Sequence, residues 1–251
     1  MSEQWMPTLK LPMTREQFQQ LPRNPAYSYD YLNGTLLIAP RTRHFHGVLT
    51  LANWQGAGDE SGEPSRVGDR VRPILEDDRR ALPEVFAAAF DRVEPFAGLT
   101  GAARLAAARD CLDRCWSGGD GPFLEQASFV AMHPENTNLL GAILVTLVPG
   151  GDAAAAESYR WDVDPPADHI ASKLGQPHIT WIFVDPYWKG IGVGTALLDR
   201  AVAALGQLGY ASLWSTFLLG NDSSMLWHWR NGFELAGFPM SRRRRLTSRD
   251  R

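Results

Sequence analysis

The sequence predicts an α/β (α+β) fold, a sheet flanked by helices, and three observations predict it. β-type segments alternate with helix-periodic ones along most of the chain. The 251 residues are 44% hydrophobic, enough to build a sizeable core. One stretch also runs in the order strand, glycine turn, helix start: the apolar residues 179–184 meet Pro186, which cannot donate to a ladder, and Gly190, Gly192 and Gly194 then precede a helical pattern beginning near Thr195.

The elements follow in order. Residues 27–31 and 35–38 are β-prone and flank Asn33-Gly34, the dipeptide of a tight hairpin turn. Residues 1–66 read as an appendage carrying this hairpin, and residues 67–251 as the main domain. Residues 56–68, rich in Gly, Ser, Asp and Glu, read as the link between them. Alternation at 71–75 predicts the first strand of the main domain. Asp77-Asp78 then cap a helix with Leu82, Val85, Phe86, Ala89 and Phe90 on one face. A second helix over 101–116 places Leu105, Ala108, Leu112 and Cys115 at helical spacing, and Gly118 to Pro122 end it. Residues 123–132 and 139–148 read as two antiparallel strands joined by a polar turn. The connection 150–176 is long enough to be a substrate lid or a disordered insert. After the strand 178–184 and the glycine turn, Leu197, Leu198, Ala201, Val202 and Leu205 form one helical stripe that Gly209 terminates. A strand over 211–218, a short helix over 223–230 and a strand opening at Phe233 close the chain.

Composition narrows the function classes. A net charge of −3 gives no basic field for nucleic acid, and Arg242 to Arg245 read as a solvated tail. No apolar run reaches the roughly eighteen residues of a membrane span. The first ten residues lack the apolar stretch of a signal peptide, so a cytoplasmic location is expected. Cys111 and Cys115, four apart on one helical face, lack the further ligands of a zinc site; buried reduced thiols and no metal are expected.

The glycine turn reads as an anion cradle. N–H groups at a helix N-terminus carry partial positive charge, and glycines let a pyrophosphate approach them closely. A phosphate loop of nucleotide hydrolases does not fit, because Lys189 precedes the glycines. A dinucleotide fingerprint does not fit either, because Thr195 or Leu197 stands where its last glycine belongs. A flexible glycine turn is the plain alternative.

Val184-Asp185-Pro186 and then Lys189-Gly190-Ile191-Gly192-Val193-Gly194 resemble the core motif of the GNAT superfamily of N-acyltransferases, with lysine in place of the usual glutamine or arginine. Asn221, the helix after it and Asn231-Gly232-Phe233 resemble the family's closing motif, and the resemblance covers roughly residues 70–238. It implies a mixed, mostly antiparallel sheet whose two central strands splay apart. It also implies an N-acetyltransferase that moves an acetyl group from acetyl-CoA to a small amine or N-terminal amino group in a ternary complex, as a monomer or homodimer. By position, Phe183 and Val184 would hold the pantetheine arm, residues 189–194 the pyrophosphate, and Asn221 either the arm or the N-terminus of its own helix. His228 stands where many relatives carry a tyrosine that protonates the leaving thiolate; it is either that donor or a packed helix-face ring. His178 stands at one of the positions of the family's basic glutamate and is the candidate base; Thr216 stands at the other and cannot serve as one. An acyl-CoA-binding or regulatory module without turnover is the alternative.

Overall fold

The computed structural model describes residues 9–21, 27–40, 44–56, 70–93, 95–149, 161, 165–218 and 221–236. Of the connection 150–176 only residues 161 and 165–176 are described, so about half of the expected lid lies outside the described residues, as do residues 57–68 of the link and the whole arginine tail.

Near the N-terminus β1 (Leu9–Pro12), α1 (Arg15–Gln20), β2 (Tyr27–Leu32) and β3 (Thr35–Pro40) form a small unit with strand order β1-β3-β2. Asn33 and Gly34 both take positive φ, 49° and 77°, which suits the tight hairpin turn between β2 and β3. The next strand, β4 (His44–Thr50), belongs elsewhere. It enters the main seven-stranded sheet, whose order is β10-β4-β9-β8-β7-β6-β5. The other members are β5 (Val71–Pro73), β6 (Phe129–Met132), β7 (Leu139–Val148), β8 (Gln176–Val184), β9 (Ser212–Leu218) and β10 (Glu234–Leu235). Hydrogen bonding therefore crosses the division expected at residues 66 and 67, because β4 pairs antiparallel with β9 along its whole length and with β10 on its other edge.

Every pairing in the main sheet is antiparallel except β8 with β9. β7 lies at its heart and is buried at every residue, which is why it reads as an unbroken apolar run. On one face Ile143, Val145, Ile179 and Leu213 pack with the Leu197, Leu198, Ala201, Val202 and Leu205 stripe of α4 (Val193–Gln207). On the other, Ala142, Leu144 and Phe183 pack with α2 (Asp78–Ala89) and α3 (Gly101–Trp116).

Two expectations are refined. Asp77 makes no side-chain cap; Asp78 instead accepts the Leu75 N–H at 2.7 Å and a two-pronged contact from Arg72 at 2.6 and 2.8 Å. The strand expected over 123–132 begins only at Phe129. The Ser128 hydroxyl donates to the Leu124 carbonyl at 2.9 Å and accepts the Val145 N–H at 3.0 Å, holding a 3₁₀ turn over Glu125–Ala127. Cys111 and Cys115 are buried free thiols, and burial raises both; Cys111 is pushed up to about 11.

Candidate functional site

The site begins where β8 leaves β9. These strands pair at only two positions, His178 with Trp214 and Ile179 with Ser215. Against β7 the register of β8 shifts: Val145 faces Ile179 while Leu144 faces Trp181, so Thr180 is an extra residue. A bulge bends its strand, and this one lies where the β8–β9 ladder stops. The Thr180 hydroxyl shares a 2.8 Å hydrogen bond with that of Thr146 on β7, which anchors the bend.

Backbone direction then decides which residues face the opening. The Asp185 N–H donates to the Leu140 carbonyl at 2.7 Å, toward β7. Successive residues of a strand turn their N–H and C=O groups to opposite edges, so Val184 and Ile182 face the β9 side. Phe183 faces β7: a Cβ added to Gly141 would stand 2.3 Å from the Phe183 carbonyl oxygen. Its side chain is buried against Phe86, 5.2 Å between ring centroids. Of the pair expected to hold the arm, Val184 therefore has a free-running edge toward the gap, whereas the Phe183 backbone is turned to β7. The second edge toward the gap is that of Ile182, which the motif alone did not single out.

The glycine turn follows directly. Asp185 Oδ1 accepts the Tyr187 N–H at 2.9 Å and starts a 3₁₀ turn over Pro186–Trp188. Gly190 and Gly192 take φ of 85° and 86°, a region costly for residues with a Cβ. Gly192 is the N-cap of α4, and the first bond within the helix runs from the Ala196 N–H to its carbonyl at 2.9 Å. The N–H groups of Val193, Gly194 and Thr195 thus have no partner within the helix. No atom comes within 4 Å of a Cβ built on Gly190, while one on Gly194 would stand 3.1 Å from Trp227 Nε1. Ile191 is half exposed, and the Lys189 ammonium donates to the Ala89 carbonyl at 3.3 Å, at the end of α2.

Asn221 is the N-cap of α5 (Asp222–Arg230), its Oδ1 accepting the Ser224 N–H at 3.2 Å and the Ser223 hydroxyl at 3.0 Å. His228, on the same helix, is buried and stacks on Phe217 at 4.4 Å. Its Nδ1 lies 2.7 Å from the Ser224 carbonyl oxygen, which can only accept, so Nδ1 carries the proton. In the neutral ring Nε2 is then an acceptor, and the Ser215 hydroxyl donates to it at 2.7 Å. Burial pushes this ring down to about 4, against the opposing pull of the Ser224 carbonyl.

His178 is buried on the other face of the sheet. Its Nε2 lies 2.9 Å from Thr216 Oγ1, and His46 Nδ1, from β4, lies 3.1 Å from the same oxygen. Burial first, then the neighbouring His46 and His228, push the His178 ring down to about 3. Nothing in the local sequence marks His46 or Ser215, because strand pairing and helix docking bring them in from other segments. Beside this row, Phe86, Phe90 and Phe96 surround Trp181 with centroids 4.8, 5.9 and 6.4 Å away. Trp181 Nε1 is buried with no hydrogen-bond partner among the described residues. Among those residues no group of three or more His, Cys, Asp or Glu could hold a metal, and no helix is long and apolar enough to cross a membrane.

No curated protein matches the chain. Similar solved structures include a GCN5-related N-acetyltransferase from Sphaerobacter thermophilus, 15% identical over 77% of this chain and 50% of that one, with a TM-score of 0.45. A GNAT family acetyltransferase from Brucella melitensis in complex with acetyl-CoA is 19% identical over 67% and 86% of the two chains, with a TM-score of 0.43. A GCN5-related N-acetyltransferase from Ralstonia eutropha JMP134 is 22% identical over 65% and 91%, with a TM-score of 0.40. The model of the acetyltransferase (GNAT) family matches residues 105–233, just over half of the 251, and the chain belongs to that family.

Proposed function

We propose that this protein is an N-acetyltransferase that moves the acetyl group of acetyl-CoA to a primary amine, a small molecule or an N-terminal amino group, by direct attack in a ternary complex. The observation that carries the reading is the continuity of two features: the gap opened between β8 and β9 beyond Ile179, and the glycine-lined N-terminus of α4 at its mouth. An extended thioester arm fits the gap and a pyrophosphate fits the helix end.

In this reading Val184 and Ile182 pair their backbone with the arm. Of the two, the Ile182 N–H stands nearer to His178 along β8 and faces the thioester oxygen, where charge grows during attack; one such donor is worth about 3 kcal/mol in the transition state. Lys189, Gly190, Ile191, Gly192, Val193 and Gly194 take the pyrophosphate. Asn221 keeps its oxygen on the α5 cap and offers its amide N–H groups to the arm. His178 takes the proton of the attacking amine. His228 holds Ser215, since the one proton of its neutral ring is committed to the Ser224 carbonyl.

The test incubates the protein with acetyl-CoA and a panel of primary amines while following free thiol. Amine-dependent thiol release is expected, and its collapse in His178→Gln identifies the base. Tight binding of acetyl-CoA with no release on any amine would favour an acyl-CoA-binding module instead, a reading that the burial of both neutral histidines also suits.

A further inference from the structure

Thr216 on β9 sits between two imidazoles. His46 is its register partner on β4, and His178 on β8 pairs with the neighbouring Trp214. The single hydroxyl lies 2.9 Å from His178 Nε2 and 3.1 Å from His46 Nδ1. A threonine hydroxyl has one proton and two lone pairs, so it donates to one ring and must accept from the other if both bonds form. Three side chains from three adjacent strands then make one directed chain. His178 is buried, whereas His46 is only half-buried, so the chain runs from the interior outward.

We propose that Thr216 joins His178 to His46 as a proton relay, through which the N-terminal strand β4 carries away the proton removed from the acceptor amine. The proposal rests on His178 being the base. As the amine N–H bond breaks, a new N–H bond forms on the His178 ring. Nε2 of that ring passes its own proton to Thr216 Oγ1, and the original hydroxyl proton moves to His46 Nδ1. His46 then releases its Nε2 proton to water, and every group in the chain ends neutral.

The surroundings explain why a relay is needed. Among the groups acting electrostatically on His178 are His46 and His228, which bear only positive charge when they bear any. Burial and these neighbours hold the His178 ring well below neutral pH, so a proton it gains is passed on through the hydrogen bond already made to Thr216. His46 lies outside residues 105–233, so this contribution comes from beyond the stretch that the family model matches. Thr216 and His46 are positioning residues that act through His178.

Nitrogen-15 NMR of the histidine-labelled full chain at neutral pH tests the proposal without any acceptor. An outward relay needs His178 Nε2 to donate and His46 Nδ1 to accept, so both rings are expected as the neutral Nε2–H tautomer, and finding both as Nδ1–H, a chain running inward, overturns it. Opposite tautomers mean that both rings donate to the hydroxyl or both await its one proton, and either result overturns the relay. Turnover with acetyl-CoA and the best amine of the panel is the second arm. Thr216→Val and His46→Phe are expected to lower kcat at least about tenfold, leaving the KM for acetyl-CoA unchanged. Their double variant should be no worse than either alone, and Thr216→Ser should restore the rate. Full activity in both single variants with loss in His178→Gln overturns the relay and leaves the base standing; full activity in His178→Gln overturns both.

Discussion

His228 and His178 are buried as neutral rings, and this has a consequence for stability. A free histidine titrates at about 6.5, whereas the folded chain holds these rings at about 4 and about 3. Between those values the unfolded chain binds protons that the folded chain refuses, so stability is full above about pH 6.5 and falls as pH drops toward 4. Each ring contributes at most about 1.4 kcal/mol per pH unit to that slope. His228→Phe keeps a ring against Phe217, so thermal melts between pH 7 and 4.5 should show a shallower acid loss than wild type. An identical slope would mean that His228 is not the group responsible. At neutral pH the same variant should melt lower, because Ser215 is buried and loses its acceptor. The tyrosine-like position of His228 was legible in the sequence. Its tautomer was not, because that depends on a carbonyl one helical turn away and a hydroxyl on β9.

At the scale of elements, the turn and helix that build the cradle depend on two backbone conformations. Gly192→Ala places a Cβ at φ 86° on the cap of α4, which costs about 1–2 kcal/mol and tilts the N–H groups of the first turn. Calorimetric titration with CoA should show weakened binding, by about tenfold if all of that strain is relieved by reorienting the turn. Unchanged affinity would place the pyrophosphate elsewhere. The glycine spacing and the helix that follows were readable because strand, turn and cap each have local signatures. The bulge at Thr180 was not readable: His178 to Val184 is a nearly continuous apolar run, and nothing local marks which residue stands outside the ladder. That bulge sets which edges face the gap, which is why Phe183 looked as suitable as Val184 from the motif.

For the whole molecule, the decisive element is β4. It lies between β9 and β10, with Leu49 buried in the core on the α4 face. A chain beginning at Arg70 would leave β9 with an open edge where it now pairs from His44↔Leu218 to Thr50↔Ser212, and would leave β10 without its partner. Such a chain is expected to aggregate or to lose its cooperative melt, while one beginning at residue 41 retains it; circular dichroism melts and light scattering on the two would decide. Equal stability of both would show that β4 is dispensable to the sheet. The sequence by itself determined the family, the cradle and most helices and strands, because periodicity, caps and glycine turns act over a few residues. Only the tertiary structure decided that β4 completes the main sheet, that β8 and β9 part at Ile179, and that His46, Thr216 and His178 meet. Those contacts join segments as much as 170 residues apart, and strand pairing over such distances is fixed by the packing of the whole sheet rather than by local pattern.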